Sequence, residues 1–278
     1  MKLATIRTAS GTAAVRIDGE QAVEIGPADV SELLRREGWQ DEAATAAGAR
    51  RQAAGLDYAP LLPSPRKIIC VGLNYRSHIL EMGRELPAYP TLFAKFANSL
   101  LGANDDIVLP NISDQVDWEA ELGVVLGAAL RRATPGEAAS AIAGYTIVND
   151  VSMRDWQWRT SEWLQGKAFE ASTPVGPWLV TPDEVDAGDL HLRCDVDGDS
   201  RQQANTSDLL FPPTEIAAYI SQFTTLEPGD LIATGTPGGV GAGRDPKVFL
   251  QDGQILTTAI EGLGRLRNAC VKEPAGSR

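Results

Sequence analysis

Three carboxylates stand at alternate positions in one short stretch of the chain, residues 116–125. In a β-strand, alternate side chains point to the same face, so Asp117, Glu119 and Glu121 would lie side by side, roughly 7 Å apart. Residues 124–126 continue the stretch as an apolar run typical of a protein core. Carboxylates that enter a core together repel one another and lose hydration, and a bound cation offsets that cost. Because carboxylate oxygens suit hard ions, Mg²⁺, Mn²⁺ or Ca²⁺ is favoured over zinc.

The same alternation has a second interpretation, a half-buried strand whose acidic face is solvated, and the pattern alone leaves both open. A separate segment, residues 145–150, is typical of a core strand that ends in Asp150. Functional residues commonly lie where a buried strand opens into a loop. Asp150 is therefore a candidate third oxygen ligand beside Glu119 and Glu121, with an ordinary Asn-Asp turn as the alternative.

Two further segments carry groups suited to acid–base chemistry and charge stabilisation. His78 and Glu81 are three residues apart, so one helical turn would place them on the same face. A carboxylate beside an imidazole orients it and raises its basicity, although a polar surface pair is the alternative. Lys167 follows a glycine and could stabilise an oxyanion, unless it is simply a solvated lysine. Lys95 is expected to extend along an apolar surface.

Composition limits the class of protein and its partners. The chain has 278 residues and a formal charge of −12, from 25 basic and 37 acidic residues, without a basic run. Nucleic acid is therefore not an expected partner. The apolar runs are too short for a membrane span, and the start lacks a signal-peptide core, so no membrane partner is expected. Three widely spaced cysteines, an odd number, indicate neither disulfides nor zinc and favour a cytoplasmic location.

The order of the elements predicts a small N-terminal domain over residues 1–62. It should contain a hairpin at Asp18–Gly19, a helix capped by Asp29 or Ser31, and an alanine-rich helix over residues 42–53. A proline-rich segment then marks the boundary. The catalytic domain is predicted to span residues 66–272, followed by a tail over residues 273–278.

The glycine-rich loop over residues 234–241 does not bind phosphate or a dinucleotide by any familiar motif. The Lys-Ser/Thr ending of a phosphate loop is missing, and no βαβ unit surrounds the loop. Its glycines are suited instead to a close approach between backbone and ligand.

These segments form an ordered set across residues 67–268 that resembles the fumarylacetoacetate hydrolase family. The matching pieces are residues 71–75 with His78 and Glu81, 93–95, 117–122, 144–157, 166–167, 174–177 and 228–237. The resemblance implies an α+β, β-rich fold, a mixed β-sandwich roll with a small N-terminal α/β domain. It also implies a homodimer.

The resemblance assigns roles to particular residues. It implies a Mg²⁺ or Mn²⁺ ion, with Ca²⁺ also possible, and the following site: metal ligands Glu119, Glu121 and Asp150; catalytic residues His78 and Glu81, which activate water, and Lys167, which stabilises an enolate or oxyanion; and substrate-binding residues Gln157, Thr236 and Arg154. Asp117 is not a ligand in this scheme and is expected to face solvent or a hydrogen-bonding partner of the site.

The function implied is metal-dependent hydrolysis of a carbon–carbon bond in a 2,4-dioxo acid, of the acylpyruvate or fumarylpyruvate type. The alternative is decarboxylation or isomerisation of a 2-hydroxy-dienoate or oxo acid in aromatic-compound catabolism, on the same metal site. A third hypothesis is a non-catalytic binding protein with a structural cation. The expected partner is a small 2-oxo acid. Residues 82–90 with Trp156, Trp158 and Trp163 are candidates for contacting its tail, although the tryptophans could serve packing or dimer contacts.

Overall fold

The computed structural model describes residues 1–274, so residues 275–278 of the predicted tail lie outside the described residues. The strands are β1 (Lys2–Thr8), β2 (Gly11–Asp18), β3 (Gln21–Glu24), β4 (Arg50–Gln52), β5 (Ile68–Gly72), β6 (Thr91–Lys95), β7 (Leu100–Leu101), β8 (Ile107–Leu109), β9 (Val116–Asp117), β10 (Ala120–Leu126), β11 (Ile142–Asn149), β12 (Ser152–Met153), β13 (Thr173–Val180), β14 (His191–Val196), β15 (Asp199–Asn205), β16 (Leu231–Ala233), β17 (Ile255–Ile260) and β18 (Gly264–Lys272). The helices are α1 (Val30–Leu34), α2 (Trp39–Thr45), α3 (Arg76–Glu81), α4 (Pro135–Ala141), α5 (Arg154–Gln157), α6 (Leu164–Lys167) and α7 (Pro213–Ser221), with 3₁₀ turns at Ala97–Ser99, Thr206–Asp208 and Gly241–Gly243.

Two mixed sheets pack against each other. The larger has the order β4-β3-β2-β1-β13-β11-β10-β16-β5-β6, with β7 paired to β13, and the smaller has the order β15-β14-β17-β18-β8. Leu122 and Ile147 of the larger sheet share one buried core with Leu256 and Leu266 of the smaller. The predicted β-rich, mixed roll is confirmed.

The central strands β10 and β11 are buried along their whole length. Val124 belongs to the core between the sheets, whereas its neighbour Val125 packs on the other face with Leu33 and Trp39 of the N-terminal helices. A strand covered on both faces favours a continuous apolar run. Polar side chains at the ends of β10 and β11 therefore lie in a poorly solvated environment.

The N-terminal strands continue the larger sheet, because β1 pairs with β13 at Leu3 and Leu179. The hairpin predicted at Asp18–Gly19 is confirmed by the antiparallel pair β2–β3. Asp29 caps α1 by accepting a hydrogen bond from the Glu32 amide. The division of the chain at residue 62 stays a prediction.

A second helix is present, but the bounds predicted for it, residues 42–53, are wrong. Helix α2 ends at Thr45, and Arg50–Gln52 forms strand β4 beside β3. Gly48 passes so close to Glu24 that a Cβ there would lie 2.3 Å from the Glu24 carbonyl oxygen. Pairing with the sheet edge therefore outweighs the helix propensity of the alanines, which is a weak local preference.

Two observations concern membrane-spanning helices and the state of the cysteines. Within residues 1–274, no helix is long and apolar enough to cross a membrane. Cys70, Cys194 and Cys270 are all free and buried.

Candidate metal centre and active-site cavity

The acidic stretch does not form the single strand that its alternation predicts. Strand β9 ends at Asp117 and pairs with β12, whereas β10 begins at Ala120 and pairs with β11 and β16. The chain changes partners at Trp118 and Glu119, so Asp117 is separated from the other two carboxylates. The alternative of a solvated acidic face is also wrong, because Asp117, Glu119 and Glu121 are all buried.

Glu119, Glu121 and Asp150 converge at the adjoining ends of β10 and β11. Each offers a carboxylate oxygen, and these oxygens lie within 4.8 Å of one another. The Asp150 amide donates to the Glu119 carbonyl at 2.8 Å. The Asn149 side-chain oxygen accepts from the Glu119 amide at 2.9 Å, and the Gly235 amide donates to Glu121 Oε2 at 2.7 Å. The backbone thus fixes all three candidate ligands.

Two buried lysines neutralise part of this cluster. Lys167 Nζ donates to Glu119 Oε2 at 2.7 Å and to Asp150 Oδ2 at 2.8 Å, and Lys95 Nζ donates to Asp150 Oδ1 at 2.5 Å. The expectation that Lys95 extends along an apolar surface is wrong, as is the solvated alternative for Lys167. The reason is charge pairing, since a buried ammonium needs a carboxylate partner.

The electrostatics of the cluster are uneven. Burial raises the pKa of Glu121 well above its ordinary value, and the nearby charges of Asp150 and Glu119 raise it further. Burial also acts to raise the pKa of Asp150, but Lys167 and Lys95 outweigh burial and hold that pKa below its ordinary value. Glu121 is therefore the carboxylate that lacks a cation. A set of oxygen donors in which one carboxylate has no cationic partner suits a hard divalent ion.

Asp117 lies outside the cluster and is connected to it through Arg154. Its Oδ2 accepts from Arg154 Nε at 2.8 Å, and Arg154 also contacts Glu119 Oε1 at 2.6 Å. The amides of Gly241 and Ala242 donate to Asp117 at 2.6 and 3.0 Å. The expectation that Asp117 faces solvent is thus wrong, whereas the expected hydrogen-bonding partner is confirmed. Asp117 ties the glycine-rich loop to Arg154 and, through it, to Glu119.

A cavity of about 630 Å³ is lined in part by Glu119. Of the predicted site residues, its lining contains His78, Glu81, Glu119, Arg154, Gln157, Lys167 and Thr236. The other two, Glu121 and Asp150, lie buried beside Glu119. The side-chain oxygen Oε1 of Gln157 accepts from Arg154 at 2.8 Å, and the Thr236 hydroxyl accepts from Gln202 at 2.8 Å.

His78 and Glu81 project from α3 into one wall of this cavity. A Cβ on Gly238 would lie 3.1 Å from His78 Nδ1 and 3.3 Å from Glu81 Oε2, so both side chains border the same point. His78 Nδ1 is buried and has no hydrogen-bond partner. Burial lowers the pKa of His78, with Arg154 and Arg84 adding to the effect and Glu81 opposing it. The imidazole is therefore neutral at pH 7 and can accept a proton.

The three tryptophans have different positions. Trp158 and Trp163 line the cavity. Trp163 packs edge-on against Phe93, with ring centroids 5.5 Å apart, whereas Trp156 packs in the same manner against Phe169. Ligand contact is therefore open to Trp158 and Trp163, and Trp156 is a packing residue.

Sequence reasoning missed several residues that position the site. Lys95 contacts Asp150, Asn149 fixes the Glu119 backbone, and Gln202 accepts from the Ala120 amide while donating to Thr236. The position of Lys95 at the end of an apolar strand could have indicated that this lysine pairs with a buried carboxylate. Gln202 lies on the smaller sheet, and no local pattern distinguishes it from an exposed strand residue.

Comparisons with known proteins agree with this geometry. A family model described as Fumarylacetoacetate (FAA) hydrolase C-terminal matches residues 67–271. Human oxaloacetate tautomerase FAHD2A, mitochondrial, is 42% identical over 243 residues, 84% of this chain and 77% of that protein. The 2,4-didehydro-3-deoxy-L-rhamnonate hydrolase of Sphingomonas sp. (strain SKA58) is 45% identical over 204 residues, 72% of each chain. The solved structure of fumarylacetoacetate hydrolase from Exiguobacterium antarcticum has a TM-score of 0.89 and 32% identity, covering 98% of this chain and 100% of that one.

Proposed function

The chain belongs to the fumarylacetoacetate hydrolase family, and we propose that it is a divalent-metal-dependent hydrolase. The bond cleaved is a carbon–carbon bond of a 2,4-dioxo acid, such as an acylpyruvate or fumarylpyruvate. One observation carries the proposal: three buried carboxylates converge within 4.8 Å beside a cavity whose wall holds a neutral histidine.

Glu119, Glu121 and Asp150 would hold the ion, which is Mg²⁺ or Mn²⁺ in this proposal, with Ca²⁺ as a further oxygen-seeking candidate. When bound, such an ion supplies Lewis acidity to the oxygens of a 2-oxo acid. The absence of a sulfur or imidazole ligand in the triad supports a hard ion over zinc.

The remaining side chains have complementary tasks. His78 accepts the proton of the attacking water, and Glu81 favours the resulting imidazolium because its charge raises the pKa of His78. Lys167, buried beside Glu119, provides a positive charge for the enolate that leaves. Gln157 and Thr236 on the cavity wall bind the carboxylate and oxo group, and Arg154 holds Gln157 in place.

The names of two relatives support hydrolysis of an acid that contains a 1,3-dicarbonyl unit. A 2,4-didehydro-3-deoxy aldonate is a sugar acid oxidised at carbons 2 and 4 and lacking the carbon-3 hydroxyl, which makes it a 2,4-dioxo acid. Fumarylacetoacetate shares the 1,3-dicarbonyl unit, although it is a 3,5-dioxo acid and not a 2,4-dioxo acid. Both names describe hydrolases.

Tautomerisation, as one form of isomerase chemistry, is the second candidate, and decarboxylation on the same site is a further alternative. The name of human FAHD2A describes an oxaloacetate tautomerase. In this chain Glu81, the proposed partner of His78, is exposed. Among the described residues, His78 Nδ1 has no hydrogen-bond partner, so this atom is not paired with Glu81. A proton shuttle needs only His78, whereas water activation gains from an ordered pair.

Product analysis separates these reactions. We would follow the ultraviolet enol band of a panel of acylpyruvates, fumarylpyruvate and oxaloacetate, with Mg²⁺, with Mn²⁺ and with excess chelator. Hydrolysis yields two carboxylic acids, decarboxylation yields CO₂, and tautomerisation yields neither. Metal-dependent formation of pyruvate and a second acid is the expected result. Turnover that is unchanged by the chelator would overturn the metal-dependent proposal.

We also propose a homodimer in a reducing cytoplasm. Large apolar side chains such as Phe96 and Phe223, 53% and 59% exposed, support a surface that a second copy covers. Three buried free thiols are compatible with a reducing compartment. Light scattering after gel filtration tests the dimer, and a mass near 29.7 kDa at micromolar concentration would contradict it.

A further inference from the structure

One buried glutamine of the smaller sheet joins the strand of the metal ligands to the cavity. Gln202 is 1% exposed and is the one buried residue of β15. Its Oε1 accepts at 3.0 Å from the amide of Ala120, which lies between two of the candidate metal ligands. Its Nε2 donates to the Thr236 hydroxyl at 2.8 Å and to the Pro237 carbonyl at 3.0 Å. A single side chain therefore contacts the proposed metal strand and a residue of the cavity lining.

A β-bulge beside Gln202 sets the direction of this side chain. The register between β14 and β15 shifts by one residue, which leaves Arg201 without an opposite residue. Such a bulge changes the direction of the side chains next to it. The glycine-rich loop packs on the bulge, because a Cβ on Gly239 would lie 2.2 Å from the Arg201 carbonyl oxygen. Bulge and loop together hold Gln202 against the segment that carries Thr236.

The partners of Gln202 determine which way its side-chain amide points. The Ala120 amide can only donate a hydrogen bond, and the Pro237 carbonyl can only accept one. Oε1 must therefore face Ala120, and Nε2 must face Pro237. The Thr236 hydroxyl can either donate or accept, so it adapts to the NH₂ group in front of it and accepts.

Thr236 consequently keeps its own proton for the cavity. Within residues 1–274, the Thr236 hydroxyl makes one hydrogen bond, the one that it accepts from Gln202. The residue is half-buried and belongs to the cavity lining. A hydroxyl that accepts from a fixed donor is polarised by that bond and becomes a stronger donor itself. The cavity thus contains a hydrogen-bond donor whose polarity is set from behind.

We infer that Gln202 is a positioning residue, which fixes the Thr236 hydroxyl as a donor to a carboxylate or oxo oxygen of the substrate. The inference rests on the proposed function for the presence of an oxo acid in the cavity. Gln202 does not line the cavity, so it acts on the ligand through Thr236. Its second contact, with the Ala120 amide, keeps this donor in register with the candidate metal ligands.

Gln202→Glu tests the polarity with little change in shape. A buried carboxyl is neutral near pH 6, and it carries one proton where the amide nitrogen carries two. The Pro237 carbonyl can only accept, so it takes that proton, and the Thr236 hydroxyl turns its own proton away from the cavity toward the introduced oxygen. The Ala120 contact is kept.

The expected result is a loss of ligand affinity without a loss of metal affinity. Pyruvate and oxalate are suitable probes, because their ionised forms offer oxygen acceptors and no donor. Calorimetry on the Mn²⁺-loaded protein should show both binding about tenfold or more weakly to Gln202→Glu, the range of a hydrogen bond to a charged group. Mn²⁺ affinity in the absence of a ligand should stay within about threefold, because the Ala120 contact remains.

Three further variants assign the effect to Thr236. Gln203→Glu is the matched control, since it places the same change on the next, exposed side chain of β15, and it should leave all affinities unchanged. Thr236→Val should weaken ligand binding by about the same factor as Gln202→Glu. In the double variant, Gln202→Glu should add less than about twofold, because the hydroxyl through which it acts is absent. Thermal melting of each variant verifies folding.

Additive losses in the double variant would overturn the inference, as would wild-type ligand affinity in Gln202→Glu. So would a Mn²⁺ affinity that falls together with ligand affinity, because Gln202 would then merely support the strand. No binding of either probe to the wild type would also count against it. Pyruvate and oxalate are not substrates of the proposed hydrolysis, so the two proposals fail separately. Coupled losses without turnover of any 2,4-dioxo acid would support the role of Gln202 and contradict the hydrolase.

Discussion

The floor and the wall of the cavity are built in opposite ways. The floor consists of Glu119, which lines the cavity, and of Glu121 and Asp150, which lie buried beside it at the ends of two central strands. Its carboxylates are hydrogen-bonded to backbone and lysines. The wall, formed by α3 and residues 82–90, is largely exposed, and His78 lacks a partner for Nδ1. On this difference we base a proposed division of labour, in which the floor holds the metal ion and the oxo acid and the less enclosed wall supplies the proton chemistry.

The proposed division is compatible with relatives whose names describe different reactions. A tautomerase and a hydrolase both match most of this chain. An oxo acid held on the same type of floor can be protonated or attacked by water, depending on what the wall presents. We therefore expect substitutions in the floor to remove binding and all chemistry, and substitutions in the wall to change rate or reaction outcome.

The largest effect is expected from Glu121→Gln in the floor. Divalent-metal affinity should fall by more than the roughly 10–100-fold that accompanies loss of a group supporting the ligands, with activity lost in parallel. The free energy of unfolding of the metal-free protein should stay equal or rise, because the change removes one of three mutually repelling charges. Titration calorimetry with Mn²⁺ and urea unfolding measure the two quantities.

The control for that variant is Glu261→Gln, an exposed acid on a turn of the smaller sheet. It should change neither metal affinity nor unfolding. If Glu121→Gln kept wild-type Mn²⁺ affinity, the floor would not be the metal site.

A smaller effect on activity, but a clear one on stability, is expected from Asp117→Asn. Breaking the buried Asp117–Arg154 ion pair leaves Glu119 as the one carboxylate paired with Arg154, so the free energy of unfolding should fall by about 3 kcal/mol. Asp199→Asn, which removes an exposed partner of Arg201, should change it by less than about 0.5 kcal/mol. Equal urea midpoints for the two variants would show that Asp117 is not an anchor of the site.

The smallest expected effect is on pH dependence, and it concerns the wall. The neutral imidazole is the active base, so kcat/KM should rise with pH through the pKa of His78, which burial holds below its ordinary value of 6.5. Glu81→Gln removes a charge that raises this pKa and should move the acidic limb to still lower pH. A limb above pH 7 in the wild type would assign the titration to a different group.

The candidate site was largely predictable where local pattern and burial coincide. Glu119, Glu121 and Asp150 stand at the ends of strands whose apolar runs identify them as central. The contact of Lys95 with Asp150 and the particular partners of Asp117 were not predicted, because these contacts join positions far apart in the chain. Lys95 meets Asp150 across 55 residues, and Asp117 meets Gly241 across 124.

The fold shows the same limit of local reasoning. The hairpin at Asp18–Gly19 follows from turn chemistry, which acts over a few residues. The helix expected over residues 42–53 ends at Thr45, because Arg50–Gln52 forms backbone hydrogen bonds with the edge of the sheet. The helix propensity of the alanines is too weak to prevent this pairing.

One measurement tests the division between floor and wall most directly: Mn²⁺ binding and turnover of a 2,4-dioxo acid, determined together on His78→Ala. We expect the variant to bind Mn²⁺ with wild-type affinity while kcat falls by roughly 100-fold or more, the contribution of a general base. Undiminished turnover would remove His78 from the chemistry. A simultaneous loss of metal binding would show that floor and wall are one coupled unit.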